Sequence, residues 1–201
     1  MIGWIKGILR EKRPPRLLVD VGGVGYEIEA PMSTFSVLPE TGKEVTLFTH
    51  QVVREDAHQL YGFAGRYERD VFRSLLRVNG VGAKLGLTIL SGMDAATFGQ
   101  RVQEGDTASL ARLPGIGKKT AERLVVEMRD RLDRLSGNGL SPASAAATAA
   151  DPPRDPQSEA VSALIALGLK PPEASRRVAS VGRSDLAPEE IVRLALKAMV
   201  K

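Results

Sequence analysis

Leu75–Leu90 (LLRVNGVGAKLGLTIL) and Leu110–Val125 (LARLPGIGKKTAERLV) superimpose at an offset of 35 residues. The alignment matches Leu75 with Leu110, Arg77 with Arg112, Gly80 with Gly115, Gly82 with Gly117 and Lys84 with Lys119. It also pairs Val78 with Leu113, Val81 with Ile116 and Ile89 with Leu124. Self-similarity at a fixed spacing marks an internal duplication. Each copy reads as a helix, an apolar-x-Gly-apolar-Gly loop, and a second helix with lysine in its first turn.

Two glycines flanking an apolar residue free the backbone for positive φ and close approach to a ligand, while Val81 or Ile116 pins the loop to a core. The loop then aims unpaired N–H groups and the positive end of the helix dipole outward. That arrangement is an anion site. Lys84 in the first copy, and Lys118 and Lys119 in the second, stand where they neutralise the same anion, with Thr120 and Arg123 one turn along. The expected ligand set is Asn79, Gly80, Val81, Gly82 and Lys84 from one loop. From the other it is Pro114, Gly115, Ile116, Gly117, Lys118, Lys119, Thr120 and Arg123. One such loop also serves as an ordinary glycine-capped helix turn. Two with matched lysines suit successive phosphates of a nucleic-acid backbone, contacted without reading bases.

Spacing argues against other phosphate chemistry. A Walker A loop needs Gly-Lys followed by Ser or Thr, but Gly117-Lys118 is followed by Lys119, and Arg112 stands where the first glycine belongs. No GxSxG elbow occurs, and the two histidines lie far from the repeat, so no triad is visible. The absence of cysteine removes disulfides, thiol catalysis and thiolate metal sites. No catalytic residue, cofactor or metal is expected. No run approaches the roughly 18 apolar residues of a membrane span, and Lys6, Arg10 and Lys12 interrupt the N-terminus, so cytoplasm is the expected compartment and no membrane partner is expected.

Composition divides the chain. The formal charge is +4, but residues 1–64 carry 7 basic and 8 acidic groups, residues 65–136 carry 13 and 9, and residues 137–201 carry 8 and 7. Six of the nine aromatics precede residue 65. Residues 1–64 read as β structure, with runs at Ile2–Ile8, Leu17–Val21, Tyr26–Ala30, Val45–His50 and Leu60–Phe63 and a turn near Ser33–Leu38. Five short strands suggest a barrel of the oligonucleotide-binding (OB) type, since closure hides strand edges. Residues 65–136 hold the duplicated helical unit. Residues 137–157, GNGLSPASAAATAADPPRDPQ, contain a single large apolar residue and read as a flexible tether spanning roughly 25 Å. Residues 158–201 read as a three-helix bundle. Its Leu164, Leu167 and Leu169 are candidates for contact with a protein partner. The expected whole is a multidomain α+β chain.

Within the barrel, His50–Phe63 (HQVVREDAHQLYGF) reads as two strands around the polar tip Arg54-Glu55-Asp56-Ala57. Glu55 and Asp56 read as a solvated turn, a metal or acid/base pair, or a charged wedge acting on an anionic ligand. Arg66, Arg69, Arg73 and Arg77 recur at helical spacing opposite Val71, Leu75 and Val78, either as a solvated face or as added duplex-binding surface.

The order of barrel, paired hairpins, tether and bundle resembles the RuvA family of Holliday-junction-binding subunits over essentially the whole chain. The resemblance is carried by VGGVGYE (Val21–Glu27), THQVVRED (Thr49–Asp56), LYGF (Leu60–Phe63), NGVGAK (Asn79–Lys84), LPGIGKKTAERLVVEM (Leu113–Met128) and ALGLKPPEAS (Ala166–Ser175). Ala83 stands where that family usually has proline. The resemblance implies a homotetramer that grips four-way DNA through phosphates, with Glu55 and Asp56 as an acidic pin at the junction centre. It further implies a C-terminal domain that docks the RuvB helicase motor, with the RuvC resolvase as a further partner. LPGIGKKTA is also similar to helix-hairpin-helix glycosylase/lyases, in which Lys119 occupies the place of the Schiff-base lysine. Those enzymes need a downstream aspartate, for which the segment offers Asp130 and Asp133.

Overall fold

Five strands emerge from the apolar runs of the N-terminal sequence in the computed structural model, which describes residues 1–55, 57–137, 156–181 and 186–198. They are β1 (Trp4–Arg13), β2 (Arg16–Val21), β3 (Val24–Glu29), β4 (Glu44–Val53) and β5 (His58–Phe63). They close into a barrel in the order β1-β2-β3-β5-β4, with every pair antiparallel except β3–β5. This is the expected OB-type architecture. β1 serves two seams: Trp4–Ile8 pair with β4 and Ile8–Arg13 with β2, the register shifting between Leu9 and Glu11. A bulge of this kind bends a strand so that it can turn the barrel corner. A Cβ on Gly7 would stand 2.3 Å from the Asp20 carbonyl oxygen, so that crossing requires glycine. Ile5, Leu9, Leu17, Val19, Ile28 and Leu47 fill the interior. β1 outruns the expected Ile2–Ile8 because its charged end, Glu11–Arg13, stays solvated while its backbone still pairs with β2. The turn expected near Ser33–Leu38 is a short helix, α1 (Met32–Val37).

The duplicated segment forms α2 (Arg66–Leu75), α3 (Ala83–Gly92), α4 (Ala95–Glu104), α5 (Thr107–Ala111) and α6 (Lys118–Gly137). Asp94 and Asp106 cap α4 and α5 by accepting from the N–H groups of Thr97 (2.8 Å) and Ser109 (3.0 Å). The barrel does not stop at its own core. Tyr61 and Phe63 of β5 are buried in the same apolar cluster as Val71, Phe72 and Leu75 of α2, and Phe72 lies 4.9 Å from Phe63 and 5.2 Å from Tyr61 between ring centroids. The arginines of α2 serve this seam. Arg66 and Arg69 lie over the Phe48 ring at 5.3 and 5.7 Å, Arg69 pairs with Asp70 at 3.0 Å, and Arg73 donates to the Thr49 carbonyl at 3.2 Å. Of the four arginines read as a possible duplex surface, these three instead attach α2 to the barrel, and Arg77 alone makes no such attachment among the described residues.

The chain divides into two compact units, one within residues 1–147 and the other within 148–201. The second comprises α7 (Pro156–Ala166), α8 (Pro171–Val181) and α9 (Pro188–Lys197) around Ala160, Leu164, Ala174, Val178, Ile191 and Ala195. Gly168 closes α7 at φ +102°. Most of the expected tether, residues 138–155, lies outside the described residues; Gly137 ends α6, and Pro156 and Gln157 begin α7.

One charged residue is buried in the seam. Glu68 of α2 is 8% exposed. Thr34 donates to it at 2.7 Å and accepts from the Ala64 N–H at 3.0 Å. The Ser33 hydroxyl lies against the other carboxyl oxygen and also 2.9 Å from the Leu90 carbonyl. The serine hydroxyl is the donor to both acceptors, one hydrogen shared between them. Burial pushes the Glu68 pKa up, the bonds from Ser33 and Thr34 and the Ala64 N–H draw it back, and the charge of Asp94 adds to the rise. An acid whose pKa is raised by folding contributes most below its unfolded value, about 4.3, and that contribution disappears as pH climbs through the raised value. Melting curves of the parent and Glu68→Gln across pH should therefore diverge, the parent losing stability relative to the variant as pH rises. A constant difference between them would refute proton uptake at Glu68.

Candidate nucleic-acid interface

The two hairpins are built by the same hydrogen bonds, shifted by the repeat length. The Arg77 N–H donates to the Ser74 carbonyl at 3.2 Å and that of Arg112 to Ser109 at 3.3 Å. Val78 donates to Leu75 at 2.9 Å and Leu113 to Leu110 at 3.1 Å; Val81 donates to Val78 at 3.0 Å and Ile116 to Leu113 at 3.1 Å. Gly86 and Ala121 donate to the carbonyls of Gly82 and Gly117, both at 2.9 Å. Within each loop the first glycine occupies the left-handed region, Gly80 at φ +87° and Gly115 at φ +80°. Val81 and Ile116 are each 5% exposed and pin the loops into the helical core as expected.

The second glycine behaves differently from the expectation. Gly82 has φ −90° at the N-cap of α3, and neither it nor Gly117 has positive φ. A Cβ on either would meet no protein atom within 4 Å. Neither backbone conformation nor internal packing requires glycine there. A side chain at either position would enter open space beside the start of the next helix. For α3, no side chain caps the first-turn N–H groups.

Around this space Asn79, Gly80, Gly82 and Lys84 are exposed in the first copy. Pro114, Gly115, Gly117, Lys118, Lys119 and Arg123 are exposed in the second, and Thr120 is half-buried. The side chains of Lys84, Lys118 and Lys119 form no ion pair or hydrogen bond among the described residues. Arg123 has a task its sequence position did not reveal: its guanidinium donates to the Asn79 carbonyl at 2.9 Å, joining the helix of one hairpin to the loop of the other. Leu85 of the first copy comes within 3.3 Å of a Cβ built on Gly115, and Leu113 fills the space beside Gly92. The hairpins are thus interlocked.

The β4–β5 hairpin carries the acidic tip. The Arg54 N–H donates to the Ala57 carbonyl at 2.8 Å, closing a turn on which Glu55 is exposed. Asp56 lies outside the described residues. His50, on β4 below the tip, packs edge-on to Phe72 at 5.9 Å with Nδ1 buried and unpartnered. Burial, aided by the charges of Arg73 and Arg69, holds it below the usual histidine range, so it is an uncharged packing residue. Among the described residues no group of three or more His, Cys, Asp or Glu side chains is placed to hold a metal ion.

Comparison with known proteins agrees with this architecture segment by segment. The RuvA N terminal domain model matches residues 1–62, the SAM-like helix-hairpin-helix tandem residues 72–130, and the RuvA C-terminal domain residues 155–200. The Holliday junction branch migration complex subunits RuvA of Nitrosococcus oceani and Thioalkalivibrio sulfidiphilus are each 60% identical to this chain, with 100% of both chains covered. That of Citrobacter koseri is 53% identical over 98% of this chain and 99% of its own. The chain belongs to the RuvA family.

Membership of the RuvA family accounts for three segments in one chain, and the structure refines which residues each can offer. Ala83, where the RuvA family usually has proline, is the first residue of α3, a position that suits either. In the C-terminal bundle Leu164 is fully buried and offers no docking surface, contrary to the expectation from sequence, and Leu169 is partly buried against the core. Leu167 is 62% exposed, and Ile165 and Leu194 are the other large apolar side chains exposed there among the described residues.

Replacing Gly82 and Gly117 by alanine should leave the melting temperature unchanged, because the added methyl groups meet nothing in the fold. Affinity for duplex or branched DNA should fall by about 1.5–3 kcal/mol per site, the worth of hydrogen bonds to a charged group. An alanine pair that binds as tightly as the parent would remove the cradles from the interface.

Proposed function

We propose that this chain is the non-enzymatic, junction-binding subunit of a cytoplasmic branch migration complex: a homotetramer that holds four-way DNA open and recruits a separate ATP-driven motor of the RuvB type. The observation that carries this reading is the pair of hairpins with superimposable hydrogen bonds, each presenting an uncapped or glycine-bared helix start beside unpaired lysines. Such sites take backbone phosphates without reading bases, as a protein acting on any crossover sequence requires. The names of the full-length relatives support the same assignment.

The acidic tip supplies structure selectivity. Carboxylates beside phosphates repel them, so Glu55 and Asp56 at a junction centre would keep exchanging strands apart and disfavour an ordinary duplex there. The bundle of α7–α9 docks the motor through Leu167, and the RuvC resolvase is a further partner that shares the open junction.

The lyase reading lacks its second group. Asp130 and Asp133 lie on the same helix as Lys119, 11 and 14 residues along, which at 1.5 Å per residue is about 16 and 21 Å of axial rise. Neither carboxylate approaches the lysine, and Asp133 is occupied by Gln103 at 2.7 Å. Borohydride should trap no adduct on an abasic duplex.

Gel-shift titrations of a four-way junction and a linear duplex of equal sequence test the assignment. The parent should prefer the junction, and Glu55→Gln with Asp56→Asn should narrow that preference mainly by strengthening duplex binding. Equal affinity of the parent for both DNAs would sink the junction reading. Leu167→Glu should leave DNA binding intact and abolish stimulation of the motor; undiminished stimulation would move the docking surface elsewhere.

A further inference from the structure

The repeat contains five identities, and four have an explanation. Leu75 and Leu110 are fully buried in the helical core, and Gly80 and Gly115 take the left-handed conformation that loop closure demands. Gly82 with Lys84 and Gly117 with Lys119 make the two cradles. The fifth identity, Arg77 with Arg112, is left over.

Each of these arginines closes the final turn of the helix entering its hairpin, and each side chain is exposed. Neither forms an ion pair or a side-chain hydrogen bond among the described residues, in contrast to Arg73 and Arg69, one and two turns before Arg77. Their internal surroundings differ. Arg77 lies near Arg73, whose charged form it disfavours, whereas Arg112 contributes to holding the Asp106 carboxyl below its usual range. No shared role inside the fold explains the match. What the two do share is position: because the hairpin hydrogen bonds repeat, each arginine leaves the same backbone framework, five residues before the second loop glycine and seven before the matched lysine.

We propose that Arg77 and Arg112 are a second matched pair of DNA contacts, each binding a backbone phosphate beside the one held by its own glycine–lysine cradle. The proposal rests on the duplex-binding reading of the hairpins and extends its footprint. The division of labour follows side-chain chemistry. Backbone N–H groups and a compact ammonium suit an enclosed phosphate, whereas a long guanidinium reaches a neighbouring one and grips two of its oxygens at once.

Counterion release distinguishes this from a structural role. The full-length chain is titrated with a four-way junction and with linear duplex across a range of salt. The Arg77→Ala, Arg112→Ala variant should lower the slope of log affinity against log salt by about 0.9 for each phosphate left without its guanidinium, or about 1.8 for the pair in each engaged subunit. It should weaken binding to all sequences alike and leave the melting temperature unmoved. Arg77→Lys, Arg112→Lys should restore the slope. Lys84→Ala, Lys119→Ala runs in parallel as the test of the underlying reading. If the lysine variant lowers the slope and the arginine variant does not, the proposal is overturned and the hairpin reading stands. If neither lowers it, both fall. A lowered melting temperature with an unchanged slope assigns the arginines to the fold and also overturns the proposal.

Discussion

The ring of Phe72 is where the two halves of the larger unit are held together. It meets Phe63 and Tyr61 of β5 and the edge of His50 of β4 on one side. On the other it lies so close to α3 that a Cβ on Gly86 would stand 3.0 Å from its Cε2. Aromatic rings in such tilted and edge-on arrangements are worth about 0.5–1.5 kcal/mol per pair beyond their buried area, and here three converge on one side chain. β4 and β5 carry the acidic tip, and α3 begins at the first phosphate cradle. The contact that builds the core therefore also sets where the carboxylates stand relative to the cradles. A flexible link at this point would leave both sites intact and uncoordinated.

Charge is segregated by the same seam. The barrel region has 8 acidic groups against 7 basic, the hairpin region 13 basic against 9 acidic, so field and fold divide together. Part of the basic excess is spent on the fold: Arg69 and Arg73 neutralise Asp70, and Arg66 and Arg69 lie over Phe48. At the hairpins Lys84, Lys118 and Lys119 make no ion pair among the described residues. Those exposed charges exert a field that falls off over about 10 Å at moderate salt, so in the proposed complex each would act on the phosphates nearest to it.

What was legible in the sequence was what is local. The repeat, the glycine loops and the lysines in each following turn are neighbours along the chain, and the five strands follow from short apolar runs between turn residues. Hidden were the features that depend on packing across elements. The α2 arginines show a helical face in sequence, but nothing nearby says that the face meets Thr49 and Phe48. Glu68 reads as one more surface acid until α1 closes over it. Leu164 and Leu167 look alike as leucines near a helix end, yet one points inward and the other outward just before the Gly168 turn. The two glycines of each loop look equivalent in sequence and serve different ends: Gly80 and Gly115 make the turn, and Gly82 and Gly117 keep a surface bare.

The interlock between hairpins gives the duplication its physical point. The hairpins include short helices, α2 and α3 of 10 residues each and α5 of only 5, below the length at which a helix is stable without tertiary support. Paired, the copies supply that support to each other through the Arg123–Asn79 bond, Leu85 against the Gly115 loop and Leu113 beside Gly92. The spacing between the two phosphate cradles then becomes a property of a packed core. DNA offers phosphates at fixed intervals, so binding both cradles at once demands a separation set before the encounter. Rigid pairing avoids the ordering cost that two independently mobile sites would incur on binding. A single hairpin could take any phosphate; two locked at one distance select those that a helical backbone presents together.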